Sequence, residues 1–188
     1  MWSLQALSDF GCAAIVVVVP GPHVEMAREM ARPFEAAEVV EGGASRQESV
    51  ANGLRAVSAD HVIVHDAARP FLSVGLLKRV IDGLVGFDGA IAAEPVEETL
   101  KQVDGDRVTA TIDRTTVWRA QTPQVFRTPL LKRAHELART TGLAATDDAQ
   151  LVENAGGTIG VVRGDRRNIK VTFEDDFVLA ESIAARWP

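Results

Sequence analysis

Gly42-Gly43-Ala44-Ser45-Arg46 places two glycines and an arginine where a short strand would end and a helix begin. Glycine lets a backbone approach a ligand closely, and the free amides of a helix N-terminus suit an anion or a base edge. The same residues would equally make an ordinary capped turn. His65-Asp66-Ala67-Ala68-Arg69-Pro70 sets an acid and a base in a loop behind an apolar run, with two alanines leaving room. That is either a ligand loop at the end of a buried strand or a surface ion pair. Gln121-Thr122-Pro123-Gln124 offers small and amide side chains in what reads as a proline-fixed turn. Asn168-Ile169-Lys170-Val171-Thr172 is β-like with one lysine, a pattern that also decorates sheet edges. Asp147 and Asp148 could be metal ligands, although acids at a helix start are expected there for the helix dipole.

Other chemistries lack their residues. No two of His23, His61, His65 and His135 have zinc-helix spacing, and they read as solvated or packed side chains. There is no Gly-x-Ser-x-Gly elbow, no Walker loop, and no Gly-x-Gly-x-x-Gly after the first strand-like run. A triad hydrolase, a P-loop NTPase and a standard NAD enzyme are thereby disfavoured. The single Cys12 excludes an intrachain disulfide and a cysteine zinc site, and suits a reducing cytosol.

The elements that must position these residues alternate. Trp2, Leu4, Leu7 and Phe10 mark an amphipathic helix, and Ala14 to Val19 is an apolar run of the kind buried on both faces of a parallel sheet. A helix is predicted over His23 to Phe34 and a short strand near Val39-Val40. Ser45 and Glu48 have capping-box spacing, with Val50, Leu54 and Val57 on one face of the helix behind them. His61 to His65 is a further strand, Val74 to Val85 a helix, and Ala90 to Ala93 a strand again. This alternation argues for a doubly wound α/β sheet with its ligand at the carboxyl ends of the strands. Between Glu97 and Gln121 the pattern changes to a polar β-hairpin that leaves the sheet, turning at Asp104-Gly105-Asp106. Thr128-Pro129 reads as an N-cap followed by proline at the first helical position, and Thr146-Asp147-Asp148 as another cap. Ile159 to Arg163 is a late strand and Glu174 to Arg186 the closing helix.

The 188 residues suit one α/β domain, with 46% hydrophobic and 24% charged residues. A net charge of −6 and a pI near 5.2 argue against a general nucleic-acid or membrane-surface binder. Any cations that hold an anionic substrate must therefore be local. No stretch approaches the roughly eighteen apolar residues of a membrane span.

Together these segments resemble the methylerythritol-phosphate cytidylyltransferase family of the non-mevalonate isoprenoid pathway. The matching pieces run in order from Gly42-Gly43, Arg46 and Ser49-Val50 through His65 to Pro70, Glu98-Thr99-Leu100-Lys101 and Asp113-Arg114. Gln121 to Gln124, Thr146 to Ala149, Gly164-Asp165 and Asn168 to Thr172 complete the set, so the resemblance spans nearly the whole chain. It implies a Rossmann-like nucleotidyltransferase fold with a mostly parallel sheet and a protruding arm. It implies Mg²⁺-dependent transfer of a cytidylyl group from CTP to a polyol phosphate, the metal being held mainly by the CTP phosphates. By analogy Gly42, Gly43, Arg46 and Ser49 would serve the nucleotide, and Asp66 and Arg69 the erythritol hydroxyls. Thr122, Thr146 and Lys170 would hold the substrate phosphate, with Lys170 also near the α-phosphate in flight. Thr99 and Arg114 lie on the arm, which in this family crosses to the partner of a homodimer and completes its site. Phe173 stands where the family often has proline, which should alter only how the last helix begins.

The family opens with a buried strand, a glycine-rich loop carrying an arginine, and a Pro-Lys pair that grip the triphosphate. None of these precedes Met1. The expectation is that roughly 30–40 residues, one strand–loop–helix unit, are missing, and that the chain as it stands binds CTP weakly and is inactive for lack of that loop. Two rival readings are a cytidylyltransferase for another polyol phosphate, such as ribitol 5-phosphate, and a non-catalytic homologue that dimerises through its arm.

Overall fold

The computed structural model describes residues 1–187. Helix α1 (Trp2–Phe10) stops at Gly11, whose φ of 85° is the left-handed conformation glycine adopts without strain. Strand β1 (Ile15–Val19) leads through a 3₁₀ turn (Gly21–His23) into α2 (Val24–Ala31), shorter at both ends than the predicted helix. There follow β2 (Ala37–Glu41), α3 (Arg46–Leu54), β3 (His61–Val64), α4 (Val74–Asp82) and β4 (Gly89–Pro95). Helix α3 ends at Leu54, so Val57 lies beyond it. The arm is the hairpin β5 (Lys101–Asp104) and β6 (Arg107–Thr111). The chain returns through β7 (Trp118–Arg127), α5 (Thr128–Thr141), α6 (Asp148–Asn154), β8 (Ile159–Arg163) and α7 (Glu174–Ala184). Among the described residues no helix is long and apolar enough to cross a membrane.

Three of the four strands of the main sheet, ordered β3-β7-β4-β8, run the same way, and β7 runs against them. β1 and β2 form a separate parallel pair, in register from Ile15 opposite Ala37 to Val19 opposite Glu41. Helices cover both faces of the main sheet. On one face Leu72, Leu76, Leu77 and Val80 pack with Ala6 of α1 against Ala90, Ala92 and Val125. On the other, Leu131, Ala134 and Ala138 of α5 and Leu151 and Val152 of α6 pack against Phe126. Adjacent residues of one strand, Val125 and Phe126, thus anchor opposite faces, as the period of two requires.

Strand β7 corrects the sequence reading, which made Gln121 to Gln124 a turn. Thr122 to Phe126 are all buried in its middle. Proline normally argues against an interior strand because it cannot donate to the ladder. Here the pairing with β4 shifts between Ile91, opposite Gln124, and Ala93, opposite Ala120, so Pro123 sits in the irregularity. On the other side the β3 ladder ends at Gln124. No backbone donor is needed at Pro123, and the bulge turns Thr122 aside from regular pairing.

Two caps also differ from expectation. Arg127 is the N-cap of α5, Pro129 is its second residue, and Thr128 Oγ1 is buried without a hydrogen bond among the described residues. At α3, Ser45 Oγ accepts from the Glu48 N–H at 3.1 Å, but Glu48 reaches back to the Ala44 N–H at 2.8 Å, one residue earlier than a capping box requires. Segment 168–172 is not a strand; it is loop, tied by the Val171 N–H to the Ala68 carbonyl at 2.8 Å. Phe173 is the N-cap of α7, and Asp176 accepts from the Thr172 and Phe173 N–H groups at 2.7 and 2.8 Å.

Candidate active site

Five separate segments meet at a cavity of about 180 Å³ at one end of the main sheet. Helix α3 supplies Arg46, the loop after β3 supplies Asp66 and Arg69, and β7 supplies Thr122. The loop before α6 supplies Thr146 and Asp147, and the loop after β8 supplies Lys170. The loops after β3 and β8 leave the carboxyl ends of strands, where α/β sheets bind ligands. Three cations and two carboxylates line the cavity of a chain whose net charge is −6, so the positive charge is indeed local.

Asp66 is the hub. Its Oδ1 accepts from Arg46 Nε at 3.0 Å and its Oδ2 from Lys170 Nζ at 3.0 Å. Burial pushes its pKa up, but the Arg46 and Lys170 charges more than offset this and hold the carboxyl below its ordinary value. Asp66 is therefore an ionised acceptor, and a carboxylate with two cations still has lone pairs for ligand hydroxyls. Burial also lowers Arg46, yet Asp148 and Asp66 raise its pKa on balance. The pair imagined between Asp66 and Arg69 does not form. Arg69 instead donates from its Nη1 to the Asn168 carbonyl at 2.8 Å, and its buried Nε has no partner among the described residues.

Burial lowers the pKa of His65, which favours the neutral ring. Its Nε2 lies 2.9 Å from the Arg69 carbonyl, which can only accept, so Nε2 carries the proton. Nδ1 then accepts from the Thr122 hydroxyl at 3.1 Å, while Thr122 Oγ1 accepts from the Asp66 N–H at 3.0 Å. Thr122 thus fixes the Asp66 loop. Asn168, fully buried, donates to the Thr122 carbonyl at 2.7 Å and ties the Lys170 loop to the same strand. Gln124 donates to Asp147 at 2.9 Å, and Asp147 caps α6 by accepting from the Gln150 N–H at 2.9 Å.

The cavity gathers six of the residues singled out in the sequence: Arg46, Asp66, Arg69, Thr122, Thr146 and Lys170. Gly42, Gly43 and Ser49 lie at the start of α3 but do not line it. Ser49 Oγ accepts from the Gly43 N–H at 3.1 Å, and a Cβ on Gly42 would come within 2.8 Å of that oxygen. Close packing of loop on helix is what the glycines allow here. Thr99 and Arg114 are exposed on the arm, outside the cavity. Sequence reading missed His65, His135, Asn168 and Gln124 as positioning groups. It also took Asp148 for a dipole acid, whereas Asp148 is fully buried and bonded to Arg46 and His135. Only the alternation of apolar neighbours with lone polar residues could have hinted at them.

An α/β sheet of this order with a polyanion-sized cluster of cations at its strand ends is a nucleotidyltransferase architecture. The chain matches, over residues 1–186, the family described as IspD, 2-C-methyl-D-erythritol 4-phosphate cytidylyltransferase, and it belongs to that family. It is 44% identical over 176 residues to the 2-C-methyl-D-erythritol 4-phosphate cytidylyltransferase of Geotalea uraniireducens, covering 89% of this chain and 76% of the relative. The crystal structure of the Thermus thermophilus enzyme of that name superposes with a TM-score of 0.84 at 40% identity, covering 98% of this chain and 87% of the other. That of 4-diphosphocytidyl-2C-methyl-D-erythritol synthase from Anaerococcus prevotii gives 0.90 at 28% identity, covering 97% and 86%.

Proposed function

We propose that this protein transfers a cytidylyl group from CTP to 2-C-methyl-D-erythritol 4-phosphate and releases pyrophosphate. The observation that carries the reading is the convergence of Lys170, Asp66, Arg69, Thr122 and Thr146 on one cavity from four segments distant in sequence. In the transfer, a phosphate oxygen of the polyol phosphate forms a bond to the α-phosphorus, and the α–β bridging bond breaks. Two polyanions must meet, so the protein's share is positioning and charge compensation rather than covalent chemistry. Asp66 accepts from the polyol hydroxyls, while Arg46, expected from the sequence to serve the nucleotide, has its guanidinium committed to Asp66 and Asp148 and instead keeps the Asp66 carboxylate in place. Arg69, whose Nε is unspent, donates on the same side. Lys170 swings its ammonium from Asp66 towards the phosphates, where negative charge concentrates as the bond forms. The start of α3, with Gly42, Gly43 and Ser49, takes the nucleotide, for which the Gly43 and Ala44 amides would have to leave Ser49 and Glu48.

The lining carboxylates do not offer a vacant cation site: Asp66 is held by two cations and Asp147 by Gln124 and a backbone amide. A magnesium ion would therefore enter on the CTP phosphates, where it supplies charge neutralisation. The wholly exposed arm supports a homodimer in which Thr99 and Arg114 complete the neighbouring subunit's site. A lone half-buried Cys12 fits a cytoplasmic enzyme. None of the relatives described above is named for ribitol 5-phosphate, and a pure scaffold has no use for three cations in one cavity.

Pyrophosphate release from CTP, followed with each polyol phosphate in turn in a chain that also carries the family's opening strand and glycine-rich loop, tests the reading. Turnover with methylerythritol 4-phosphate exceeding that with ribitol 5-phosphate is the expected result, and Lys170→Ala should lower kcat about 100-fold or more. Release that is faster with ribitol 5-phosphate, or indifferent to Lys170, sinks it.

A further inference from the structure

The Asp66–Arg46 pair does not end at the cavity wall. Arg46 donates from Nε to Asp66 Oδ1 at 3.0 Å and from Nη1 to Asp148 Oδ2 at 2.8 Å. Asp148 Oδ1 lies 2.9 Å from His135 Nε2, and an ionised carboxylate can only accept, so Nε2 carries the proton. Lys170 closes the other end on Asp66 Oδ2. Five side chains from α5, α6, α3 and two loops thus form one unbroken line, His135–Asp148–Arg46–Asp66–Lys170.

Its two ends differ in exposure: the Lys170, Asp66 and Arg46 end reaches solvent at the cavity, and the Asp148 and His135 end is buried. The Lys170 side chain is 45% exposed, Arg46 34%, Asp66 15%, His135 6% and Asp148 1%. The buried end cannot touch a ligand in the cavity, yet it determines how the exposed end is held. A guanidinium is planar, so fixing its Nη1 edge on Asp148 fixes the direction of its Nε–H towards Asp66. The half-exposed Arg46 would otherwise rotate about its own side chain and take Asp66 with it. Asp148 is in turn confined by the helix it opens and by His135, itself buried on α5.

We propose that His135 and Asp148 are positioning residues for the polyol-phosphate half of the reaction: through the plane of Arg46 they orient the Asp66 carboxylate, and through Asp66 the resting place of the Lys170 ammonium. The proposal rests on the function proposed above. A purely structural tie between α6 and α3 would share the contacts, but would not single out one substrate or one N–H group.

The test compares wild type with His135→Leu, His135→Gln and Asp148→Asn. Exchange of the Arg46 Nε–H, assigned in NMR spectra by its loss in Arg46→Lys, reads the guanidinium with no substrate present. KM and kcat for CTP and for methylerythritol 4-phosphate read its consequence. His135→Leu and Asp148→Asn should speed Arg46 exchange and lower kcat/KM for the polyol phosphate by about tenfold to a hundredfold, the scale of a small misplacement. KM for CTP should stay within about threefold of wild type, and His135→Gln, which keeps a donor for Asp148, should restore most of the loss. Should the leucine variant not fold, the nearly isosteric Asp148→Asn carries the comparison. Arg46 exchange that stays at the wild-type rate in a folded variant overturns the relay. Equal loss for both substrates, in step with Tm, overturns the positioning role and leaves a structural tie. Variants whose Arg46 exchange responds as expected, in a parent that carries the family's opening strand and glycine-rich loop and still releases no pyrophosphate, overturn the reaction reading and the positioning role with it.

Discussion

Asp66 bears two cations at 3.0 Å, and the consequence reaches beyond binding. Its carboxyl is held below the ordinary 3.8, so as pH falls the unfolded chain takes up this proton before the folded one does. The stabilisation is complete well above pH 3.8 and drains away as pH falls through the lower, folded-state value. Asp66→Asn should therefore destabilise the protein by roughly 2 kcal/mol at pH 7, the scale of hydrogen bonds to charged groups. The gap between the two proteins should narrow below about pH 4. Urea unfolding at pH 7, 5 and 3.5 measures this, and a gap independent of pH would mean that the ion pairs add nothing. Asp88, Asp165 and Asp176 are also held low, so the wild-type acid limb is steeper than Asp66 alone would make it. For that reason the difference between the two proteins, not either curve alone, is the quantity to read.

At the scale of elements, the start of α3 and the start of α4 make a matched pair. A Cβ on Gly43 would stand 2.4 Å from Glu48 Cβ, on the helix the loop must touch. Gly43→Ala should push loop from helix, break the Ala44–Glu48 bond and cost about 1–3 kcal/mol, as overpacking does. Gly75, in the first turn of α4, meets no atom nearer than 3.9 Å. Gly75→Ala should raise stability by about 0.4–1 kcal/mol, because it restricts only the unfolded chain. Thermal melts of both variants decide the matter. If both shift the same way, local packing is not what separates these glycines. If the α3 amides serve the nucleotide as well, Gly43→Ala should raise KM for CTP more than KM for the polyol phosphate.

For the whole molecule the telling element is the arm. All nine residues of β5 and β6 are exposed, among them Val103 and Val108 at 55% and 56%. Two paired strands with no core beneath them are at best marginal in isolation, so a second surface is expected to cover them. The arm is also shorter than its sequence suggested, because Trp118 to Gln121 already belong to β7. If it crosses to a partner, Arg114 serves the neighbour's site while Lys170 serves its own. In a chain that also carries the family's opening strand and glycine-rich loop, Arg114→Ala and Lys170→Ala dimers should each be nearly inactive. Unfolded and refolded together, they should regain up to about a quarter of wild-type activity, since half the dimers are mixed and each has one intact site. Mixed dimers, confirmed by differential tags, that stay inactive would place both residues in the same subunit's site.

What the sequence determined by itself is whatever depends on near neighbours along the chain. The apolar runs at Ile15–Val19 and Ala90–Ala93, the caps at Ser45 and Asp147, and the hairpin turn at Gly105 are local, and each stands where periodicity and turn chemistry put it. The ordered motifs likewise indicated the family and six of the cavity's residues. Tertiary structure decided the rest, because its causes lie far apart in sequence. Pro123 can sit inside β7 only because a ladder shift opposite Ile91 and Ala93 excuses its missing N–H. Asp148 can be buried as a charge only because Arg46, 102 residues away, and His135 are waiting for it. Lys170 lines the cavity because Asp66, 104 residues earlier, holds it there. No window of the sequence contains both partners of such a pair, and it is folding that brings them within hydrogen-bonding distance.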